Sequence, residues 1–249
     1  MCSLPIVALS LNIFSIERRT AMKKVWCGMA LPLCFLMFCV SAQAQTGEPS
    51  ESTLAAGFKQ ALSIGTEKAV QTVSQPDGYF GNQAIKILLP DGMQKVADVL
   101  GKLGMQKQLD DFILSMNRAA EKAAPQAASI FGGAIKDMGI DDAQKMYSGG
   151  DTAATDYFRG KTSEQIFSAF KPIISASMQE VGTTALFNNL MTKYNSIPFV
   201  PKTTLDIEQY VTTRATDGLF TMVGEEEKKI RTNPAARSTD LLKSVFGNL

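Results

Sequence analysis

The sequence predicts an all-α protein: a single multi-helix domain of about nine helices, with room for one minor two-stranded β pairing. Three observations carry this expectation. Beyond residue 52, apolar side chains recur at three- and four-residue steps over most of the chain. Breakers such as Gly104, Pro125, Gly149-Gly150 and Asn233-Pro234 fall between those runs. Only Ile85-Lys86-Ile87-Leu88-Leu89 alternates as a strand does.

The elements follow in order. Ser52 or Thr53 caps a first helix whose stripe is Leu54, Phe58, Ala61/Leu62, Ala69 and Val73. Gly57 and Gly65 each lower its propensity by ~1 kcal/mol relative to Ala, which predicts a second helix passing close by. Gln75-Pro76-Asp77-Gly78 turns the chain, and Ile85 to Leu89 pairs, if at all, with Ser196 to Pro201. Pro90 suits the first turn of a helix to about Leu103, with Gly104 as its breaker. Helices are then expected from about Met105 to Ala124 and, after Pro125, from Gln126 to Met138. Asp141 or Asp142 caps a short one ending at Tyr147, and Asp151 caps another from Thr152 to Phe158. Thr162 or Ser163 opens a longer helix to Val181, kinked or divided at Pro172. Thr183 to Tyr194, a long helix capped by Asp206, and a short one capped by Ser238 complete the chain.

The amino-terminal part belongs outside this fold. Met22-Lys23-Lys24, the apolar run Val25 to Val40, and Ser41-Ala42-Gln43-Ala44 are the basic start, apolar middle and small-residue exit of a secretory signal peptide. The expected organisation is an upstream extension at 1–21 that is not translated, a signal at 22–44 cleaved between Ala44 and Gln45, a flexible leader at 45–52 and the helical domain at 53–249. A retained anchor is the rival reading, since the run approaches spanning length. A lipoprotein fits less well, because the bulky Phe38 precedes Cys39.

Cleavage would remove Cys2, Cys27, Cys34, Cys39 and Trp26, leaving a mature chain with no Cys, Trp or His. That excludes thiolate nucleophiles, Cys/His zinc sites and histidine bases. Without disulfides the domain must rest on its core, for which about 205 residues suffice. Taking Glu17, Arg18, Arg19, Lys23 and Lys24 away from 24 acidic and 25 basic residues leaves a net charge of −2. The signs are interspersed, which leaves no footprint for nucleic acid or anionic lipid.

Three polar groups stand out. Asn117, Arg118 and Glu121 lie opposite Met116 on a helix whose polar side also holds Leu114. That pattern fits a central helix covered on both faces, or a solvated face with one stray leucine. Asp151, Thr155, Asp156 and Arg159 follow Gly149-Gly150, where N–H groups could hold an anion, although Asp151 as a cap occupies that place. In Glu225-Glu226-Glu227-Lys228-Lys229-Ile230-Arg231, the apolar stripe turns Glu226 or Glu227 inward, to be met by Arg118 or Arg159. The cluster Asn117, Arg118, Glu121, Asp151, Thr155, Asp156, Arg159 and Glu226 is therefore the candidate site, structural or ligand-binding. Were it closed and buried, Arg118→Ala would cost ~3 kcal/mol.

The chain resembles the bacterial family known as domain of unknown function 4197, from about Leu54 to Phe246. The likeness rests on Pro76-Asp77-Gly78-Tyr79-Phe80, Ser115 to Pro125, Gly149 to Arg159, Lys193-Tyr194 with Ile197-Pro198-Phe199, and the tail from Glu225 to Leu242. The resemblance implies an exported, mostly helical protein of Gram-negative bacteria and brings no activity, cofactor or catalytic residue. The expectation is a non-enzymatic periplasmic module that binds a protein or small ligand or has an envelope-associated structural role. It has no catalytic residue, metal or cofactor and no membrane span after signal removal. The alternative is a carboxylate- or lysine-based enzyme, or a small-ligand binder, using Arg118, Glu121 and Asp151.

Overall fold

The computed structural model describes residues 50–90, 93–180, 182–198 and 206–247. These form α1 Glu51–Val73, α2 Gln94–Lys102, α3 Gln106–Ala123, α4 Ala127–Asp137, α5 Ile140–Tyr147, α6 Ala153–Glu180, α7 Thr183–Asn195, α8 Ile207–Thr232 and α9 Asp240–Phe246. Short 3-10 turns at Ala124–Gln126 and Pro234–Ala236 join α3 to α4 and α8 to α9. The all-α expectation holds among the described residues.

The long α8 lies between α6 and α1, and α3 packs along α6. The small residues of α8 allow this close approach: Ala215, Gly218 and Gly224 are buried, as are its larger Leu219, Phe220 and Val223. Helix α1 is covered in turn by α4, α5 and α9. Aromatic rings tie these layers together. Phe131 of α4 meets Phe220 of α8 edge-on at 5.8 Å, and Phe58 of α1 meets Phe246 of α9 at 5.0 Å. The close passage inferred from Gly57 and Gly65 is present. A Cβ on Gly57 would stand 2.4 Å from Val245 Cγ2, and one on Gly65 would touch Glu226 Cβ at 3.6 Å.

Several boundaries differ from expectation. Ser50, two or three residues earlier than expected, caps α1 by accepting the Thr53 N–H at 3.3 Å. Gly139 opens α5, and Asp142 reaches back to its N–H at 3.0 Å instead of standing at the cap. Thr239 rather than Ser238 caps α9, accepting the Leu242 N–H at 3.2 Å. Asp206 does cap α8, accepting from the Gln209 N–H at 2.9 Å.

The helices expected at 152–158 and 162–181 are one element, α6, continuous through Gly160 and Pro172. Gly160 is not among the positive-φ glycines; Gly104 and Gly182 are, with φ of 78° and 70°. Left-handed glycines end helices, whereas one in right-handed geometry only weakens them.

The expected strand is the clearest correction. Among the described residues there is no strand, and 86–90 runs without regular secondary structure. Its alternation is real: Ile85, Ile87 and Leu89 are buried and Leu88 is exposed. The partner is a side chain. Asn117 of α3 accepts the Ile87 N–H at 2.9 Å and donates to the Ile87 carbonyl at 2.8 Å. One amide thus supplies the donor and acceptor a neighbouring strand would offer. Of the expected partner stretch, 196–198 is a turn after α7, and 199–201 lies outside the described residues.

Gly57→Ala tests the α1–α9 contact. Helix propensity favours alanine by up to about 1 kcal/mol, whereas overpacking costs about 1–3 kcal/mol, so the variant should lose stability in urea unfolding. In a Val245→Ala background the contact with Cγ2 is gone and only the Cβ, 3.0 Å away, remains, so the same substitution should cost clearly less.

Candidate functional site

The polar residues singled out by sequence do not form one cluster. They divide among two interior carboxylate clasps and a set of surface pairs. The first clasp is built by α3 on the loop after α1. Glu121 Oε1 accepts the N–H groups of Tyr79 and Phe80 at 3.1 and 3.2 Å, and its Oε2 accepts Arg118 Nη1 at 2.7 Å. Arg118 Nη2 reaches Asp77 at 2.7 Å. Asp77 has a φ of 66°, a left-handed conformation that a short polar side chain tolerates. The Tyr79 hydroxyl then crosses the core to donate to the Ala215 carbonyl of α8 at 2.7 Å. Gly218 makes room for that ring, since a Cβ there would stand 2.8 Å from Tyr79 Cε1. Burial first, and the Glu121 charge second, push the Tyr79 hydroxyl far above its ordinary pKa. The Arg118 guanidinium is held above its usual range, chiefly by its bond to Glu121.

The second clasp centres on Glu227. Its carboxylate accepts the Ala154 N–H at 3.0 Å, the Thr155 N–H at 2.7 Å and the Thr155 hydroxyl at 2.7 Å. These are first-turn donors of α6, which have no partner within their own helix. Arg231, one turn along α8, donates from Nε to Glu227 at 3.0 Å and from Nη2 to the Met146 carbonyl of α5 at 2.8 Å. Its guanidinium also lies 5.6 and 5.9 Å from the ring centres of Phe58 and Phe246. Both side chains are nearly closed off, 5% exposed for Arg231 and 7% for Glu227. The adjoining cavity, walled by Phe58, Leu62, Val223 and Ile230, is only about 10 Å³, which leaves no room for a substrate.

Asn117, Arg118 and Glu121 do act together, at the loop 77–87. Thr155 belongs to the other clasp. The anion cradle weighed at the α6 N-terminus is filled by Glu227, and Asp151, expected there as a cap, is exposed in the preceding turn. Asp156 is exposed and accepts from the Thr152 hydroxyl at 3.3 Å. Arg159 pairs with Asp217 at 2.7 Å and lies over the Phe220 ring. Glu226 pairs with Lys229 at 2.6 Å. No hydrogen bond or ion pair joins Arg118 or Arg159 to Glu226 or Glu227 among the described residues. The inward carboxylate recruits a cation from its own helix because an i, i+4 arginine is already beside it. Sequence reasoning missed Glu227's true partner, Arg231, and the roles of Tyr79, Asp77 and Asp217. For Arg231 the signal was present: it follows Ile230 at the end of the inward stripe.

A third polar junction joins α5 to α6. The Tyr157 hydroxyl donates to Asp142 at 3.0 Å. The Gly139 N–H, and then Tyr157 and nearby lysines, hold the Asp142 carboxyl below its ordinary range. Burial and then the Asp142 bond raise the Tyr157 hydroxyl to about 12.

No group of His, Cys, Asp and Glu among the described residues is placed to hold a metal ion, and no described helix is long and apolar enough to cross a membrane. Fold and site together define a helical domain whose interior carboxylates fasten helix and loop ends to one another. The chain belongs to the family described as protein of unknown function (DUF4197), whose profile matches residues 48–247. No curated protein and no solved structure matches it.

Two measurements follow. Arg231→Ala leaves a buried carboxylate without its cation and should cost about 3–5 kcal/mol in urea unfolding. Arg118→Ala should cost only about 1 kcal/mol, because Arg118 is 39% exposed and solvent screens its pairs. The heavy cost first expected at Arg118 therefore belongs to Arg231, and equal costs would contradict the assignment. The second concerns pH. A tyrosine whose folded pKa is raised contributes stability that is complete below its unfolded value near 10 and is lost as pH climbs towards about 12. Tyr79 deepens the same loss, so thermal unfolding of Tyr157→Phe should fall less steeply than wild type across that window, but still fall.

Proposed function

We propose that the protein is a non-enzymatic, exported module of the bacterial envelope, working in the periplasm as a binding or structural element. The observation that carries this reading is the condition of the interior carboxylates. Glu121 and Glu227 spend their oxygens on backbone N–H groups and arginines, which leaves neither available as acid, base or nucleophile. The enzyme alternative relied on Arg118, Glu121 and Asp151 acting together. Arg118 and Glu121 are engaged with the loop at 77–80, while Asp151 stays in an exposed turn before α6.

Export is supported by the three-part signal pattern at 22–44. A chain without Cys or His after cleavage also suits an oxidising compartment, where free thiols would be a liability. Stability has to come from packing and the clasps instead.

Expression of the full chain in a Gram-negative host tests the reading. Osmotic-shock fluid should contain a species beginning at Gln45, and Ala44→Leu should block its release. Retention of the intact chain in the cytoplasm would contradict it. Asp151→Asn and Asp156→Asn should leave the envelope phenotype of a complemented deletion strain unchanged, whereas loss of function in either would return the enzyme reading to consideration.

A further inference from the structure

A cleft of about 430 Å³ lies between α4 and α6, walled by Ile130, Gly133, Ala134, Tyr157, Lys161 and Gln165. Asp137, the last residue of α4, and Asp142, in the first turn of α5, also line it. Neither carboxylate belongs to the Glu121 or Glu227 clasp. Asp142 Oδ2 accepts both the Gly139 N–H and the Tyr157 hydroxyl, each at 3.0 Å, which leaves Oδ1 without a partner among the described residues. Asp137, Lys161 and Gln165 are exposed and make no hydrogen bond or ion pair among the described residues.

Elsewhere on the surface opposite charges meet directly: Lys107 with Asp111, Lys122 with Glu180, Arg159 with Asp217 and Lys243 with Asp240, at 2.6 to 3.0 Å. In the cleft they do not, because Tyr157 engages both sides. Its hydroxyl takes Asp142, and its ring carries the Lys161 ammonium 5.7 Å from the ring centre. Lys161, one turn beyond Tyr157 on α6, thus keeps its ammonium donors unspent. Asp142 keeps one carboxylate oxygen open and Asp137 keeps both. Asp137 also adds to the negative end of α4, which Lys59 offsets at the Lys136 carbonyl, at 3.1 Å. Gly133 leaves the α4 wall bare. A Cβ there would meet nothing within 4 Å, so no contact inside the chain requires a glycine at this helical position.

Unspent charges of both signs, kept apart in one cleft, are the complement of a molecule with an ammonium at one end and a carboxylate at the other. We propose that this cleft binds a small zwitterion, a free amino acid or a short peptide, with its ammonium on Asp137 and Asp142 and its carboxylate on Lys161. The half-buried Ile130 and Ala134 give the middle of the ligand an apolar floor, and Gln165 adds a hydrogen bond. The volume suits a molecule of that size. This inference rests on the binding side of the function proposed above and specifies the ligand.

The test uses the protein as recovered from the expression described above, processed or intact, and titrates it with alanine, dialanine, N-acetyldialanine and dialanine amide. Amide NMR should show saturable shifts at millimolar dialanine, centred on residues 133–142 and 157–165. Binding should be about tenfold weaker for each blocked probe, for Asp137→Asn and for Lys161→Gln. The losses should match by end: Asp137→Asn adds nothing with N-acetyldialanine, and Lys161→Gln adds nothing with the amide. Tighter binding of dialanine names peptides as the source and tighter binding of alanine names free amino acids, and either supports the proposal. Gly133→Leu should raise the unfolding temperature, because leucine favours a helix, while abolishing binding by filling the bare wall. Lys228→Gln, on an exposed part of α8, should change nothing. No saturable binding, equal binding of the blocked and free probes, losses that do not match by end, or shifts centred elsewhere would overturn the proposal. Secretion and processing are measured separately, so those failures do not decide the broader reading.

Discussion

A helix that begins in the interior needs an acceptor for its first N–H groups, and α6 begins there. Glu227 of α8 meets that need, and its own charge is balanced by Arg231. Five helices meet at these two side chains: the start of α6, the body of α8, the end of α5 through Met146, and α1 and α9 through Phe58 and Phe246. A buried ion pair by itself is weak evidence of stability, because desolvation offsets most of the attraction. Here the pair does a different job. It satisfies backbone groups that an apolar replacement would leave orphaned, which makes it a device for placing α6 on α8.

The Glu121 clasp repeats the principle at the other side of the fold. A carboxylate from a helix takes two successive loop N–H groups, and an arginine one turn away balances it. The result positions Tyr79, whose hydroxyl reaches α8 from the opposite direction. Asn117, one turn before Glu121, then fixes the chain at Ile87. Three residues of α3 thereby set the course of the loop between α1 and α2. The closed Glu121 clasp and the path of 86–90 are consequences of the same helix.

Most of the fold was legible because it depends on local signals. Periodic apolar runs located the helices, and Gly104 and Asp206 punctuated them as their chemistry requires. Gly57 and Gly65 announced a close neighbour that is there. The failures came where a distant group overrode a local preference. Asn117 supplied what a second strand would have, so Ile85 to Leu89 read as a strand without being one. Glu227 took the α6 N-terminus, so Asp151 was not needed as a cap. For the site, Asn117, Arg118, Glu121 and Thr155 all make interior polar contacts, but at two separate places. Spacing along one helix shows which side chains share a face. It does not show which of several remote arginines or carboxylates will arrive opposite them.

If the Glu227 clasp holds α6 in place, the Ala154 and Thr155 amides should behave unlike ordinary first-turn amides, which exchange with solvent freely. Native-state hydrogen exchange measures this residue by residue. Both amides should exchange only with global unfolding, at the same free energy as core positions of α8 such as Leu219 and Val223. Fast exchange of Ala154 and Thr155 while α8 stays protected would show that the α6 start frays independently, and would contradict the central role given to Glu227 and Arg231.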